Sequence, residues 1–326
     1  MPRRYRNDNI QLPGLFDDLD LPPIPVQIDN DPLEKARRAY ATQGKKPCVY
    51  YMSFGSGSSG NCAYIGDDSG GFLIDAGVAP DHVFDSLLHN GITPEMVRGI
   101  IVTHDHGDHV RYLYAIVRRH KHIGVYVTPR AFGGIMRRHS VSRRLKDYHR
   151  PIYKEFPFKI GEFEITAFEV SHDGTDNAGY FITRGEHTFA IATDLGCVTD
   201  RVDYYMRRAR HIMIEANYDA GMLRDGPYPE HLKARIAAYN GHLDNVATGR
   251  FLADIYRPGE LRTVFLCHLS HDNNNPAIAL ATVRTELMAA HPGLTIGDGS
   301  GSVDTRNADM QLLALPRYDA SPLYRL

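Results

Sequence analysis

Metal-capable side chains are concentrated in one short segment, THDHGDH at residues 103–109, which directly follows the apolar run GIIV. In an extended backbone His104 and His106 point to the same side, because strand side chains alternate with a period of two. Asp108 and His109 enter the next helix and can face a second position a few Å away. Neutral imidazole and carboxylate together are ligands for Zn²⁺, Mn²⁺ or Fe²⁺. The segment therefore predicts a metal site, with a histidine-rich surface turn as the alternative.

Three further metal-capable residues each follow an apolar strand pattern: His172 after FEITAFEVS, Asp194 after FAIAT and His268 after RTVFLC. Because α/β folds place their chemistry at the carboxyl ends of strands, these residues should meet the segment 103–109 at one sheet edge. A lone histidine at a strand end is usually a satisfied polar residue. Three such residues that complete a four-residue motif favour a site instead, and we expect the buried strands to form a rigid platform for two metal ions.

The strands that must hold these residues occur in two successive groups, each followed by helical sequence. The first group runs from CVYYMSF to GIIVT and leads into a helix at 110–121, and the second runs from FPFKIGEFEITAFEVSHD to HIMIEAN. Two β-then-α halves predict an α/β fold with two facing sheets and helices outside, a four-layer αββα sandwich. We place this catalytic domain at residues 48–300. An N-terminal extended arm that could contain a short helix (1–47) precedes it, and a C-terminal tail (301–326) follows.

A candidate proton donor comes from two further residues, Glu215 at the end of HIMIE and His242 in the stretch GHLDN. Glu215 could orient His242 and raise its pKa, so that His242 protonates a leaving oxygen. Metal ions can activate water, but an alkoxide leaving group still needs a proton. The alternative is a helix-capping histidine and an unrelated glutamate. Together with Asp108, these two residues are the candidate catalytic groups.

Positive charge is concentrated directly after the metal-capable segment. Residues 111–150 contain eleven Lys and Arg and one acid, whereas the whole chain has a formal net charge of −2. A charge run is usually a solvated face, but this one alternates with tyrosines and histidines and follows the metal motif directly. We therefore predict a phosphate-binding strip. Its candidate nucleic-acid contacts are Arg118, Arg119, Arg137, Arg138, Arg143 and Arg144.

The glycine-rich stretch SFGSGSSGN at residues 53–61 lies between two strand patterns. It lacks Gly-Lys-Ser/Thr and precedes no helix, so we do not expect a nucleotide-binding P-loop. A hairpin turn explains its glycines. The alternative is that Ser56, Ser58 and Asn61 line the cleft beside the metals.

The composition argues against several other classes of protein. There is no run of about 18 apolar residues, and the basic N-terminus MPRRYRNDN is followed by no apolar core. We therefore expect neither a membrane contact nor a signal peptide. Four widely spaced cysteines without a C-x-x-C pair indicate reduced thiols of a cytoplasmic protein.

A series of motifs in order, from about Ser53 to about Pro292, resembles the metallo-β-lactamase superfamily. The motifs are SGSSGN, LIDAG, THDHGDH, SHDG, ATDLG, EANYD, YPEHLKARI, GHLDN and CHLSHDNNNP. Within the superfamily they are most similar to the YycJ/WalJ-like group of DNA exonucleases, with tRNase Z as a more distant relative. Two features depart from that group: Tyr218 stands in EANYD where a histidine is expected, and residues 1–47 have no recognisable counterpart.

The resemblance implies a role for each metal-capable residue. One metal would be held by His104, His106 and His172, the other by Asp108, His109 and His268, with Asp194 bridging the two. Asp75 in LIDAG would orient a ligand histidine. The pairing of Glu215 with His242 also resembles tRNase Z-like enzymes.

These observations predict a hydrolase with two divalent ions, zinc or manganese, that cleaves phosphodiester bonds of nucleic acid, acting as a DNA exonuclease rather than on RNA. The first alternative is a small-molecule metallo-hydrolase of the same fold, such as a cyclic nucleotide phosphodiesterase, thioesterase or lactonase, which has no need of the basic strip. The second alternative is a nucleic-acid-binding subunit with a structural metal site.

The N-terminal arm contains a short peptide, QLPGLF at residues 11–16, that loosely resembles the peptides that dock on bacterial sliding clamps. The alternative is an arm packed on its own domain or on a second subunit. Residues 1–47 could therefore bind a protein partner or contribute to a homodimer.

Overall fold

The computed structural model of the protein describes residues 47–299 and 307–326. These residues belong to one compact unit, Lys46–Leu326. The predicted N-terminal arm, including the peptide at 11–16, lies outside the described residues except for its last position.

The described chain forms two β-sheets. Their strands are β1 (Tyr50–Gly55), β2 (Cys62–Asp67), β3 (Gly70–Ile74), β4 (Val97–Ile101), β5 (Gly124–Val127), β6 (His149–Pro151), β7 (Phe158–Ile160), β8 (Phe163–Glu169), β9 (Ala178–Arg184), β10 (His187–Ala192), β11 (His211–Glu215), β12 (Thr263–Cys267), β13 (Ile296–Gly297), β14 (Met310–Ala314) and β15 (Tyr324–Arg325). The first sheet has the order β15-β1-β2-β3-β4-β5-β6, and the second has the order β13-β14-β12-β11-β10-β9-β8-β7.

Helices connect many of these strands. They are α1 (Pro80–His89), α2 (Gly107–Val110), α3 (Leu113–Arg119), α4 (Pro129–Arg138), α5 (Asp200–Met206), α6 (Ala220–Asp225), α7 (Glu230–Ile236), α8 (Asn245–Ile255) and α9 (Pro276–Ala290), with 3₁₀ turns at Pro94–Met96 and Arg143–Tyr148. None of these helices is long and apolar enough to cross a membrane.

Three hydrophobic cores define the layers of the fold. One lies between the sheets, where the rings of Tyr51 and Phe265 have centroids 4.5 Å apart. A second joins the first sheet to α1–α4, and a third joins the second sheet to α5, α8 and α9. Along β1, Tyr51 faces the inter-sheet core while Met52 and Phe54 face the helices, as the strand period of two requires. The predicted four-layer αββα sandwich is confirmed.

The direction of the strands determines where the predicted site residues lie. In the first sheet β3, β4 and β5 are parallel, and in the second β10, β11 and β12 are parallel. Strand β8 has the same direction as β10, because both are antiparallel to β9. Side chains that follow β3, β4, β8, β10, β11 and β12 can therefore converge at the carboxyl ends of the strands.

Two features differ from the sequence-based boundaries. The helix expected at 110–121 begins earlier and is interrupted, so that Asp108 and His109 lie within the single turn of α2. Residues expected to form a C-terminal tail supply two strands: β14 lies between β12 and β13, and β15 pairs with β1. Strand β15 has only two residues, and the five residues of β14, MQLLA, do not alternate strictly between apolar and polar side chains.

Candidate metal centre

The predicted site residues stand at strand ends. Asp75 follows β3, the segment 103–109 follows β4, His172 follows β8, Asp194 follows β10, Glu215 ends β11 and His268 follows β12. Asp75, Asp194 and His268 have φ values of 60°, 53° and 52°, and with Glu155 they are the non-glycine residues with positive φ in the described chain. This left-handed backbone costs an L-residue about 1–3 kcal/mol. The strained residues Asp75, Asp194 and His268 all lie just after the carboxyl end of a strand.

The first cluster contains His104, His106 and His172, whose nitrogen atoms come within 4.8 Å of one another. His172 Nε2 lies 3.3 Å from His106 Nδ1, and the rings of His104 and His106 have centroids 4.5 Å apart. His172 Nδ1 is 3.0 Å from the carbonyl oxygen of Gly241, which leaves its Nε2 directed to the cluster. The structure thus brings together the three histidines predicted to hold one metal.

The second cluster contains Asp108, His109 and His268, with ligand atoms within the same 4.8 Å limit. Asp108 Oδ2 lies 3.6 Å from His109 Nε2 and 3.8 Å from His268 Nε2. Asp194 adjoins both clusters, because its Oδ2 lies 3.2 Å from His109 Nε2 and its Oδ1 lies 3.7 Å from His172 Nε2. Asp194 Oδ1 also lies 3.3 Å from His268 Nδ1, so the carboxylate of Asp194 adjoins histidines of both clusters.

The residues of the two clusters fit a pair of divalent cations. The Nε2 atoms of His104 and His268 are buried and have no hydrogen-bond partner among the described residues. Such an unmet buried nitrogen costs about 1–3 kcal/mol, and a metal ion would accept its lone pair. Burial lowers the pKa of His104 well below its ordinary value, so its ring is neutral and can coordinate. The mixed nitrogen and oxygen donor set suits zinc, manganese or iron.

A buried carboxylate, Asp75, contacts one histidine of the second cluster. Asp75 Oδ2 lies 2.7 Å from His109 Nδ1, and Asp75 Oδ1 accepts a 2.8 Å hydrogen bond from the backbone N–H of Thr103. The Thr103 hydroxyl lies 3.0 Å from His104 Nδ1, so Thr103 links the two clusters. Asp75 thus occupies the position from which a carboxylate would fix the tautomer of His109, the role expected for it.

Glu215 is shared between two histidines. Its Oε1 lies 2.8 Å from His242 Nδ1 and 2.7 Å from His268 Nδ1, while its Oε2 accepts a 2.7 Å hydrogen bond from the backbone N–H of Leu195. The sequence predicted the contact with His242 but not the contact with His268. The second contact was missed because nothing in the spacing of these residues shows that β11 and β12 are neighbours.

These contacts shift the pKa values of Glu215 and His242. Burial alone would raise the pKa of Glu215, but His242 and His268 lower it to about 2, so the carboxylate is ionised at neutral pH. Burial alone would lower the pKa of His242, and the Glu215 carboxylate raises it above its ordinary value. The protonated form of His242 is therefore favoured, and its side chain is 20% exposed.

The glycine-rich loop after β1 touches the second cluster. Asn61 Nδ2 lies 3.2 Å from Asp108 Oδ2 and 3.0 Å from His109 Nε2, and Ser56 Oγ accepts a 2.9 Å hydrogen bond from the backbone N–H of His268. Ser58 is exposed. Two of the three residues suggested to line the cleft thus contact the predicted ligand residues directly.

Two acidic residues support the first cluster without having been singled out in the sequence. Asp105 is fully buried and accepts hydrogen bonds from the backbone N–H and the hydroxyl of Thr175, at 2.8 and 2.6 Å. Asp173 places one oxygen 3.3 Å from His106 Nε2 and accepts hydrogen bonds from Arg235 through the other. Their position inside THDHGDH and SHDG is the signal that could have identified them.

The six arginines of the predicted strip do not share one environment. Arg137 and Arg138 end α4. In the next residue, His139, Nε2 lies 2.7 Å from the carbonyl oxygen of Asp105. Arg138 Nε lies 3.5 Å from Asp105 Oδ2. Arg119 forms a 2.6 Å ion pair with an exposed aspartate of α1 instead. Arg118 is beside it in α3, and Arg143 and Arg144 lie in the 3₁₀ turn.

Tyr218, which stands where the resemblance leads one to expect a histidine, is buried behind the site. It forms an isolated β-bridge with Asp244, and its backbone oxygen accepts a hydrogen bond from Asn245. Burial and the nearby carboxylates of Asp244 and Glu215 raise the pKa of its phenol to about 12, so the phenol stays protonated at neutral pH.

Comparison with known proteins agrees with this geometry. Residues 71–268 match the family model described as beta-lactamase superfamily domain. A protein of Bacillus anthracis named exodeoxyribonuclease YycJ is 29% identical over 263 residues, which cover 79% of this chain and 95% of the relative.

Solved structures show the same fold. The metallo-β-lactamase fold protein YhfI of Bacillus subtilis aligns with a TM-score of 0.58 and 16% identity, covering 85% of this chain and 99% of that one. The short form of human tRNase Z aligns with a TM-score of 0.50 and 16% identity, covering 68% of this chain and 93% of that one.

Proposed function

The chain belongs to the β-lactamase superfamily, and we propose that it is a DNA exonuclease whose site holds two divalent metal ions. The fold and the histidine and aspartate clusters are those of a metal-dependent hydrolase. The observation that carries the proposal is the position of Asp194, whose carboxylate lies within 3.7 Å of histidines from both clusters.

Each cluster would hold one ion, zinc or manganese. His104, His106 and His172 would hold the first, Asp108, His109 and His268 the second, and Asp194 would contribute to both. When bound, the ions would supply Lewis acidity toward a phosphoryl oxygen and would lower the pKa of water. Asp75 holds the His109 ring in place, so that the second cluster is arranged before substrate binds.

His242 would serve as the general acid. Glu215 occupies its Nδ1, so Nε2 is the nitrogen left to donate a proton to the leaving oxygen. Because the Glu215 carboxylate stabilises the imidazolium, His242 holds that proton at neutral pH. Such a positioned acid contributes about 10²–10⁴-fold to a proton-dependent step.

Two observations support nucleic acid as the substrate. The relative with 29% identity over most of both chains is named as an exodeoxyribonuclease. Arg137 and Arg138 end a helix that contacts the loop of THDHGDH, where they could bind phosphates on either side of a cleaved bond.

The experiment that tests this function compares DNA with and without free ends, RNA and a small cyclic phosphodiester. Purified full-length protein with Mn²⁺ or Zn²⁺ should be incubated with end-labelled linear duplex DNA, linear single strands, circular single strands, RNA and a cyclic dinucleotide. We expect mononucleotides or short products from linear DNA, and little cleavage of the circle or of RNA. An Asp194→Asn variant serves as the control for contaminating nucleases.

Two outcomes would overturn the proposal. Equal cleavage of circular and linear DNA would show an endonuclease. Turnover of the cyclic dinucleotide with intact DNA and RNA would instead indicate the small-molecule hydrolase.

A further inference from the structure

The last ten residues of the chain begin beside the loop after β1 and run along β1 away from the candidate metal centre. The backbone N–H of Leu326 donates to the oxygen of Val49, and the backbone N–H of Ser321 donates to the oxygen of Ser53. The Ser321 hydroxyl is buried and accepts a 3.0 Å hydrogen bond from the backbone N–H of Ser53. The segment that follows Arg317 is therefore fixed to the sheet at several positions.

Arg317 is the residue that this segment places beside the loop after β1. The backbone N–H of Ser56 donates to the Arg317 oxygen at 3.3 Å, and the Ser56 hydroxyl accepts from the backbone N–H of His268 at 2.9 Å. One residue thus separates the Arg317 backbone from a predicted metal ligand.

The guanidinium group of Arg317 lies against Gly57 of the same loop. A Cβ on Gly57 would come 3.1 Å from Arg317 Nη1, so glycine makes room for the arginine. The backbone N–H of Gly57 donates to Asn61 Oδ1 at 2.8 Å, and Asn61 Nδ2 contacts both Asp108 and His109. The guanidinium therefore adjoins the wall of the second cluster.

This guanidinium is short of acceptors. Arg317 Nη1 is buried and has no hydrogen-bond partner among the described residues. Burial lowers the pKa of Arg317, and Asp272 is close enough to oppose that shift. It already accepts a 2.6 Å hydrogen bond from the Tyr228 hydroxyl and lies 2.9 Å from His271 Nδ1. The guanidinium of the half-buried Arg317 also lies 5.9 Å from the centre of the Tyr318 ring, which supplies no oxygen acceptor to Nη1. A buried N–H donor without an acceptor is costly, so its position beside the proposed phosphodiesterase site points to an anionic ligand.

We propose that Arg317 binds a phosphate group of the substrate next to the second cluster. The inference deepens the proposed function and rests on it. A guanidinium presents parallel N–H donors that match phosphate oxygens, and the Arg317 backbone is tied to the loop by the hydrogen bond from Ser56. The phosphate could belong to a nucleic-acid backbone or to a small phosphate ester, and the two sources are separable by experiment.

The test compares Arg317→Gln with Arg325→Gln in the full-length protein. Arg325 is an exposed arginine of the same C-terminal segment, in β15, and serves as the matched control. Specificity constants should be measured with Mn²⁺ on a labelled linear oligonucleotide and on bis-p-nitrophenyl phosphate, which has no flanking phosphate. We expect Arg317→Gln to lower the oligonucleotide to small-diester ratio by about tenfold or more, the usual weight of a charged hydrogen bond. Arg325→Gln should preserve the ratio.

Binding measurements without turnover distinguish the two possible sources of the phosphate, a nucleic-acid backbone and a small phosphate ester. The affinity of each variant for the labelled oligonucleotide and for inorganic phosphate should be measured in metal-free buffer at several salt concentrations. Loss of one phosphate contact should lower the log–log salt slope by about 0.7–0.9 in Arg317→Gln. A loss of affinity for inorganic phosphate alone would assign the site to a small phosphate ester.

Equal ratios, slopes and affinities in Arg317→Gln and Arg325→Gln would overturn the role of Arg317 and leave the nuclease proposal intact. Failure of the unmodified protein to cleave any nucleic acid would overturn the nuclease proposal. The phosphate-binding comparison would still decide Arg317 in that case.

Discussion

Two buried carboxylates of the site, Glu215 and Asp194, each contact more than one histidine. Glu215 links the candidate acid, His242, to the candidate ligand, His268, through a single carboxylate oxygen. Asp194 links the two clusters in the same way through its two oxygens. Because each of these carboxylates serves two partners, its substitution should disturb both, whereas His242 can be removed with the predicted ligands left in place.

The first prediction concerns His242→Ala. A deoxyribose alkoxide has a conjugate-acid pKa near that of water, about 15, so it needs a proton to leave. We expect a loss of about 10²–10⁴-fold on nucleic acid and a much smaller loss on an activated p-nitrophenyl diester, with the metal content retained. Steady-state rates on both substrates measure the difference. Equal losses would instead make His242 a ligand or a structural residue.

Glu215→Gln gives the contrasting result. Since Glu215 also contacts His268, this variant should lose activity on both substrates and lose metal as well. Full metal occupancy together with a selective loss on nucleic acid would show that the contact with His268 has no part in metal binding.

The second prediction concerns pH. The Glu215 carboxylate raises the pKa of His242, so the imidazolium persists above the ordinary histidine range and disappears as the pH rises through the raised value. Cleavage of nucleic acid should therefore decline at high pH with one ionisation that is absent from the profile of the p-nitrophenyl diester. Rate profiles on the two substrates with excess metal test this, and identical profiles would argue against a proton donor.

At the scale of secondary-structure elements, the segment after β4 is held from two sides. Its Asp105 accepts both hydrogen bonds of Thr175 from the loop after β8, and the end of α4 contacts it through His139. Gly134 of α4 lies directly over this contact, because a Cβ there would come 2.1 Å from Asp105 Oδ2. Packing between elements thus fixes the loop that carries His104 and His106.

The third prediction follows from that packing. Gly134→Ala should lower the free energy of unfolding by about 1–3 kcal/mol, the usual cost of overpacking, and should reduce turnover because Asp105 must move. Gly133→Ala is the matched control: its Cβ would meet only the mobile end of Arg137, and alanine favours a helix by about 1 kcal/mol over glycine. Thermal denaturation of both variants measures the difference, and equal midpoints would show that the contact tolerates a methyl group.

The sequence predicted the elements that carry dense local signals and missed those that depend on distant contacts. THDHGDH and the apolar strands before His172 and His268 identify the platform, because spacing and strand period are local properties. Arg317 could not be assigned in this way, since its surroundings come from segments far away in the chain. The strands after residue 300 were missed because β14 shows no strict alternation of apolar and polar residues and β15 has only two residues.

At the scale of the whole molecule, the charge is unevenly distributed. The formal net charge is −2, although residues 111–150 contain eleven Lys and Arg. Within that strip Arg138 lies beside the loop of the candidate metal centre, whereas Arg119 is engaged with Asp81 on α1. The part of the strip around the end of α4 is therefore the better candidate for a phosphate track.

The fourth prediction contrasts these two parts. A variant with glutamine at Arg137, Arg138, Arg143 and Arg144 should bind DNA more weakly and with a flatter salt dependence. Each lost phosphate contact lowers the log–log slope by about 0.7–0.9. Substitution of Arg118 and Arg119 should have a smaller effect per residue. Binding of a labelled oligonucleotide at several salt concentrations measures both, and an unchanged slope in the fourfold variant would make the strip a solvated face.

The most direct test of the central claim is the number of metal ions per chain. Elemental analysis of the purified protein after equilibration with Zn²⁺ or Mn²⁺ should give about two ions per chain. The variants His172→Ala and His268→Ala should each lose at least one ion with nearly all turnover. His89→Ala, an exposed histidine at the end of α1, should retain both ions. A single ion in the unmodified protein, or two ions in the His172 and His268 variants, would contradict the dinuclear site.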